Sequence, residues 1–459
     1  MEGFGSGAAH DALGRMSKAP PRSSSAQRTG PGPPLFTSPA WRRLTILVLY
    51  GYQGLVAGFA VTALPNHLAS LGAAPDAIGA MLALIGLPWV LQPLWGPLID
   101  RFGDFRMGRR RAWVMLGLAG ALACLAVLPL AGGGAVALGW ISLVLLLHNA
   151  CAALVDTAVD AMIIDHVPAD RLGETTALTR AGFVGGSALG AAVFSALAAF
   201  HGLPLAECVL LLLGSLAAAI PVLVREQAGD AILSLRRHRQ MGRDRPGTTS
   251  YLVFLRDLWA FGRRREILVL LAICIIEEFA TAAFGLHFGL DLVATGRWDA
   301  TSLSQLQGGL TLASGTVGAL SIGLWLDRVG PQHALRLLLG TCVAAYGLTA
   351  LLLLGPRSHL LEACAMALSS VVPALVFVSL APTVMQIIRG NGAATQFALV
   401  MAALNGGGLL GSAASSHIGA LLPSWLVALG GAGLFALCTA MAPRPERLFG
   451  SITRQNSMD

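Results

Sequence analysis

The chain has 459 residues, of which 55% are hydrophobic and only 12% charged, with a net charge of +7 and a mean hydropathy of +0.69. So few charges on so long a chain exclude a string of soluble domains, whose surfaces would be largely apolar and would aggregate. The positive excess is almost wholly arginine, Lys18 being the only lysine, and in so apolar a chain it points to membrane topology rather than to nucleic acid.

Residues 1–40 are rich in Pro, Gly and Ser and hold no apolar core run, which predicts a disordered cytoplasmic tail and not a secretory leader. Crossing the hydrocarbon layer takes about 20 helical residues. Twelve apolar windows of that order lie beyond the tail, at 43–64, 77–97, 112–131, 136–160, 176–198, 204–224, 266–290, 303–323, 334–355, 360–387, 392–414 and 423–442. The polar stretch between windows six and seven divides them into two sextets, predicting an all-α integral membrane protein of two six-helix bundles, 41–224 and 266–442. A basic cytoplasmic linker, 225–265, joins them, with an amphipathic interfacial helix around Tyr251–Phe261, and a cytoplasmic tail, 443–459, closes the chain.

Arginine placement fixes the expected orientation. With the N-terminus inside, the inner segments hold Arg42, Arg43, Arg101, Arg106, Arg109–Arg111, Arg171, the cluster at 236–265, Arg328, Arg336, Arg389, Arg444 and Arg447, whereas the outer segments hold only Arg297 and Arg357. Both termini are therefore expected in the cytoplasm. The halves also echo each other: GPLIDRFG (96–103) comes after the second window and GLWLDRVG (323–330) after the eighth, both reading G-x-x-x-D-R-x-G. A match at equivalent elbows predicts a duplicated architecture.

Four segments, GLPWVLQPLWGPLIDRF…GRRRAWV (86–114), DTAVDAMIIDHV (156–167), RLGETTALTRAGFVGG (171–186) and GNGAATQFALVMAALN (390–405), give the chain its resemblance to the major facilitator superfamily. Within it the chain resembles the AmpG-like group of muropeptide permeases, RhtX/FptX-type siderophore importers and acetyl-CoA carriers. YGYQGLVAGFAVTALPNHLASLG (50–72) is most similar to the siderophore importers, with Val56 where proline is expected; Gln92 and Pro93 are a second departure from the group's pattern. The resemblance implies the major facilitator fold and elbows that clamp the two bundles on the inside. Gly96, Asp100, Arg101, Gly103, Arg109 and Arg110 would form the first clamp, and Gly323, Asp327, Arg328 and Gly330 the second.

Elementary electrostatics agrees on the aspartates. A bare carboxylate is disfavoured at a helix C-terminus, so Asp100 is expected to meet the N-terminus of another span or an arginine such as Arg101, Arg109 or Arg110. For Arg110, Arg111, Arg264 and Arg265 the positive-inside rule is an adequate account by itself. The four elbow glycines are expected to allow close helix approach and tight turning.

Ionisable residues inside spans are costly and are candidate sites for that reason. His148, Asp156 and Asp160 fall in window four, the aspartates at i,i+4 on one face near the inner surface, either coupling protons or pairing with Arg180 or Arg171. Glu277 and Glu278 fall in the middle of window seven, where helical geometry lets only one face the centre, and His287 lies toward its outer end. Glu207 and Glu362, at outer helix ends, are expected to reach solvent. Gln53, Gln92, Gln305 and Asn405 are further candidate cavity groups, though for any one of them an interhelical hydrogen bond is the readier account. Seven scattered cysteines suggest neither disulfides nor a metal centre, no nucleotide-binding motif is present, and no nucleophile stands in a catalytic pattern. The reading is a non-enzymatic, cofactor-free and monomeric inner-membrane carrier, taking up a siderophore-like or other moderately large polar solute with protons. The alternatives are a muropeptide or other metabolite permease and a non-transporting assembly factor. Expected partners are the solute, protons and lipid, without nucleic acid.

Overall fold

The computed structural model describes residues 34–442 apart from 72, 74, 104, 132–134, 237–250, 299, 357 and 389–391. Twelve helices among the described residues are long and apolar enough to cross a membrane. They are α1 Pro39–Leu68, α2 Ala77–Arg101, α3 Arg111–Leu130, α4 Leu138–His166, α5 Ala169–His201, α6 Leu203–Leu223, α7 Arg265–Ala294, α8 Gln305–Val329, α9 Pro331–Leu354, α10 His359–Ile387, α11 Ala393–Ser415 and α12 Ser424–Met441. Most coincide with the apolar windows, but α4, α5 and α8 run further, since their polar ends stay helical beyond the hydrophobic layer that a hydropathy window detects. A further helix, Tyr251–Gly262, lies in the linker. Leucines such as Leu212, Leu216 and Leu351 are exposed on the outside of the bundles, as lipid-facing side chains must be.

The two six-helix bundles repeat their internal packing. In the first, α1 lies on α5; in the second, α7 lies on α11. Glycine brings both pairs together: a Cβ on Gly54, Gly186 or Gly190 would overlap the backbone of the facing helix, as would one on Gly407 or Gly411 against α7. Such close backbone approach is the usual solution between membrane helices, where side-chain hydrophobicity gives no net drive. The bundles meet along α2 against α11 and α5 against α8.

Several helices are locally broken. In α2 the α-helix ends at Val90 and resumes at Trp95 after a short 3-10 turn, Gln92–Leu94. Pro93 has no N–H for the Trp89 carbonyl four residues earlier. That carbonyl instead accepts from Asn405 Nδ2 of α11 at 3.1 Å, a bond between the two halves. Single π-turns interrupt α1 at Phe59–Ala63 and α8 at Ser314–Gly318.

At the elbow end, the expectation of a disordered tail through residue 40 is corrected at its inner edge, which packs together with the start of the linker. Phe36 is buried, sits edge-on to His166 at 6.1 Å, and donates its N–H to the Arg225 carbonyl at 2.8 Å. Glu226 is buried and accepts from the backbone N–H of Arg110 at 2.8 Å and of Arg111 at 3.0 Å. Burial of the Phe36 ring and capping of the start of α3 by Glu226 give these segments a fixed path. The rest of the N-terminal tail, up to residue 33, the C-terminal tail from 443, and 237–250 of the linker lie outside the described residues.

Candidate functional site

Between the bundles lies a cavity of about 360 Å³. Its first-half wall carries most of the polar groups, set among apolar residues. Tyr50 and Gln53 come from α1, Gln92 from the break in α2, His148, Asn149, Asp156 and Asp160 from α4, and Thr176, Thr179 and Arg180 from α5. Its second-half wall is mostly apolar: Phe377, Ala381 and Met385 from α10 and Phe397, Met401 and Leu404 from α11, with Glu278 and Asn405 as the polar exceptions. Spacings of three and four residues put each set on one helix face.

The two aspartates of α4 are held by neutral partners. Asp156 accepts from Gln92 Nε2 at 2.8 Å and from Gln53 Nε2 at 3.4 Å, and Asp160 accepts from the Tyr50 hydroxyl at 2.7 Å. Both are buried. This corrects the alternative of pairing with Arg180 or Arg171: Arg171 reaches Glu174 at 3.4 Å, and among the described residues no ion pair within 4 Å joins Arg180 to a carboxylate. Beyond Asp156, α4 continues for more than two turns to His166. Arg180 lies with its guanidinium carbon 5.6 Å from the centre of the Phe377 ring, a cation–π contact across the two halves.

At the elbow end each motif aspartate caps a helix of the opposite bundle. Asp100 accepts from the backbone N–H of Ala394 at 3.3 Å and of Thr395 at 2.9 Å, and from Thr395 Oγ1 at 2.8 Å, all at the start of α11. It also pairs with Arg110 Nη1 at 2.8 Å, while Arg110 Nε reaches Asp165 at 2.8 Å. Asp327 accepts from the N–H groups of Gly173 and Glu174 in the first turn of α5, each at 2.9 Å. Carboxylates at helix N-termini satisfy orphan N–H donors and oppose the helix dipole favourably. Gly96 and Gly323 permit both caps, since a Cβ on either would collide with the very helix being capped. Gly103 is pressed by the stem of Arg109, and Gly330 ends α8 at φ +88°, a conformation that favours glycine.

The matching proteins agree with this architecture. Residues 46–412 match the model of the Major Facilitator Superfamily. The chain belongs to this superfamily. Among curated relatives, a folate-biopterin transporter from Synechocystis sp. is 30% identical over 145 residues, 31% of this chain and 28% of that protein. The anhydromuropeptide permease of Escherichia coli K12 is 30% identical over 101 residues, 22% of this chain and 20% of that protein. The chain thus spans under a third of the length of either relative. Of solved structures, the Escherichia coli fucose:proton symporter aligns at TM-score 0.66 and 14% identity, over 87% of this chain and 97% of that one. A bacterial homologue of the iron transporter ferroportin in an outward-facing state aligns at 0.66 and 15%, over 87% and 98%. At these identities the structural matches speak for the fold.

Within this superfamily member, several candidate residues stand apart from the cavity. Glu277 is buried inside the second bundle and only Glu278 lines the cavity, as helical geometry requires of neighbours about 100° apart. His287 is engaged at the far end, 3.2 Å from Ser424 Oγ, which also donates to Asp291 at 2.8 Å. Gln305 is exposed. Arg101 and Arg328 are exposed and touch neither aspartate, and Arg109 reaches only the Asp100 carbonyl, at 3.4 Å. Arg110 and Arg111 are almost fully buried, which the positive-inside rule does not explain. Arg111 donates to the carbonyls of Met107, Pro221, Val222, Ala231 and Ile232. Glu207 and Glu362 are buried rather than solvated, and Glu362 is bonded by Arg297 and by Trp298 Nε1. Tyr50 and Asn149 escape a reading of the sequence by charge alone; their helical spacing from the cavity residues on α1 and α4 is the signal that could have found them.

Proposed function

We propose that this superfamily member is a secondary active transporter that takes up a moderately large polar solute together with protons across the cytoplasmic membrane. The supporting observation is the cavity itself: it is shared by both halves, carries Asp156, Asp160 and Glu278 in its wall, and is separated from the elbow end by helix caps on Asp100 and Asp327. In this reading residues 41–224 and 266–442 are the moving bodies, both termini and the elbows are cytoplasmic, and the caps hold the inner side shut while the cavity communicates outward. Breaking them lets the bundles rock and exposes the cavity inward. Asp156 with Asp160, a pair on one helix face, and Glu278 are the groups that take and release protons; Glu277 supports its neighbour from inside the bundle.

A siderophore-like solute is proposed from residues 50–72. The likeness to an anhydromuropeptide permease favours a second reading, a muropeptide or related metabolite. Right-side-out vesicles carrying the protein separate these: ferric chelates, a 1,6-anhydromuropeptide and folate are added singly while external pH and solute uptake are recorded. The proposal expects one of them to accumulate with alkalinisation outside, and both signals to vanish with a protonophore and in Glu278→Gln. Accumulation unchanged by the protonophore would refute proton coupling.

A further inference from the structure

Resting on the reading of the cavity as a transport site, we infer that the solute it accepts is an organic anion that also bears N–H or O–H donors, the anionic group meeting Arg180 and the donors meeting Gln92 and His148. The starting point is a set of buried polar atoms without a hydrogen-bond partner. Gln92 Oε1, His148 Nε2, Thr176 Oγ1 and Arg180 Nε are all of this kind, and all four belong to residues lining the cavity. The Tyr52 hydroxyl, on a residue that also lines the cavity, lacks a partner too, but it lies against Gly214 of α6; Arg110 Nη2 and Gln332 Oε1 are unpartnered away from the cavity, and none of the three takes part here. An unsatisfied buried polar group is costly, so native interiors keep very few. Four in one wall describe the complement of a ligand.

Their neighbours fix what each atom offers. Gln92 spends its amide nitrogen on Asp156, so its free end is an acceptor. Asn149 Nδ2 donates to the Ile85 carbonyl at 2.6 Å, which turns Asn149 Oδ1 toward His148 Nδ1, 3.2 Å away. A neutral His148 therefore carries its proton on Nδ1 and presents Nε2 as an acceptor. Arg180 can only donate, and it brings a positive charge; Thr176, one turn earlier on the same face, adds a hydroxyl. The first-half wall thus has an accepting pole on α2 and α4 and, on α5, a cation that interacts across the cavity with Glu278 and, behind it, Glu277, so an anionic group would share Arg180 with Glu278. Phe377, Met385, Phe397 and Met401 opposite suit an apolar or aromatic body between a donor-bearing head and an anionic group.

Three small probes test the assignment on the purified full chain in detergent, with thermal stabilisation titrated to give an apparent Kd. 4-Aminohippurate carries both features, hippurate lacks the amino donor, and 4-aminohippuramide lacks the charge. The expected result is binding of 4-aminohippurate at least tenfold tighter than either analogue. Arg180→Gln should erase the preference for carboxylate over amide and keep the preference for the amino group, whereas Gln92→Leu should do the reverse; the retained preference shows in each case that the variant is folded. Arg180→Lys should keep the anion preference. No binding of 4-aminohippurate, or equal binding of all three probes, overturns the inference and means that water alone satisfies these atoms. Gradient-driven flux in vesicles is a separate readout: flux of a neutral solute without anion preference sinks only the inference, and absence of flux for every solute sinks the transport reading even if the probe binds.

Discussion

Asp100 and Asp327 hold the same place in two copies of one eight-residue pattern, yet their surroundings differ. Asp100 is buried and joins three donors at the start of α11 to the guanidinium of Arg110; Asp327 is half-buried and holds two backbone N–H groups at the start of α5. The repeat supplies the features both need, a carboxylate and a small residue one turn earlier. The difference comes from the neighbouring sequence, GRRR after the first elbow and PQH after the second. The cavity is uneven in the same direction, with hydrogen-bonded acids on the first half and mostly Phe, Met and Leu on the second. The two copies thus share the frame of the elbow, while most of the cavity's polar groups lie in the first.

Arg110→Ala tests the asymmetry most severely. It leaves Asp100 and Asp165 without their shared cation and should destabilise the protein by about 3–5 kcal/mol in thermal unfolding, the usual cost of removing one partner of a buried pair. Arg328→Ala, on an exposed side chain of the other elbow, should stay within about 0.5 kcal/mol. In the cavity, Asp156→Asn should lower initial uptake tenfold or more while the protein remains monodisperse in detergent, whereas Met401→Ala should lower it less than threefold. Equal losses from these two would dissolve the distinction between the walls. Asp100→Asn should cost about 1.5–3 kcal/mol, in the range of hydrogen bonds to charged groups, against roughly 0.5–1.5 kcal/mol for Asp327→Asn. Gln305→Ala, at the exposed start of α8, should change neither uptake nor stability.

The fold was legible because a bilayer makes one demand on sequence, an apolar run long enough to cross it, and each span meets it. Asp100 was legible for a related reason: a carboxylate at the C-terminal end of its own helix needs another helix's N–H groups. Glu277 and Glu278 could be read only as a pair, as the choice between them depends on helix rotation. Arg111 was misread because its partners are carbonyls of α6 and of a linker that folds back beneath the first bundle, contacts that no local pattern encodes. Gln305 was misplaced for want of rotation, whereas His287 lies at the outer end where the sequence put it and away from the cavity lining. The bond from Asn405 to the Trp89 carbonyl was half visible: Pro93 announces a free carbonyl, but not which side chain takes it.

In the proposed mechanism the two halves separate at the elbow end when the aspartate caps open. Spin labels on Arg101→Cys and Arg328→Cys, exposed positions on opposite halves, report that separation directly by pulsed electron resonance. A dominant short-distance population is expected in the otherwise unchanged protein, with a shift to longer distances when Asp100→Asn and Asp327→Asn are added, larger for the first than for the second. A distance distribution indifferent to both substitutions would contradict it.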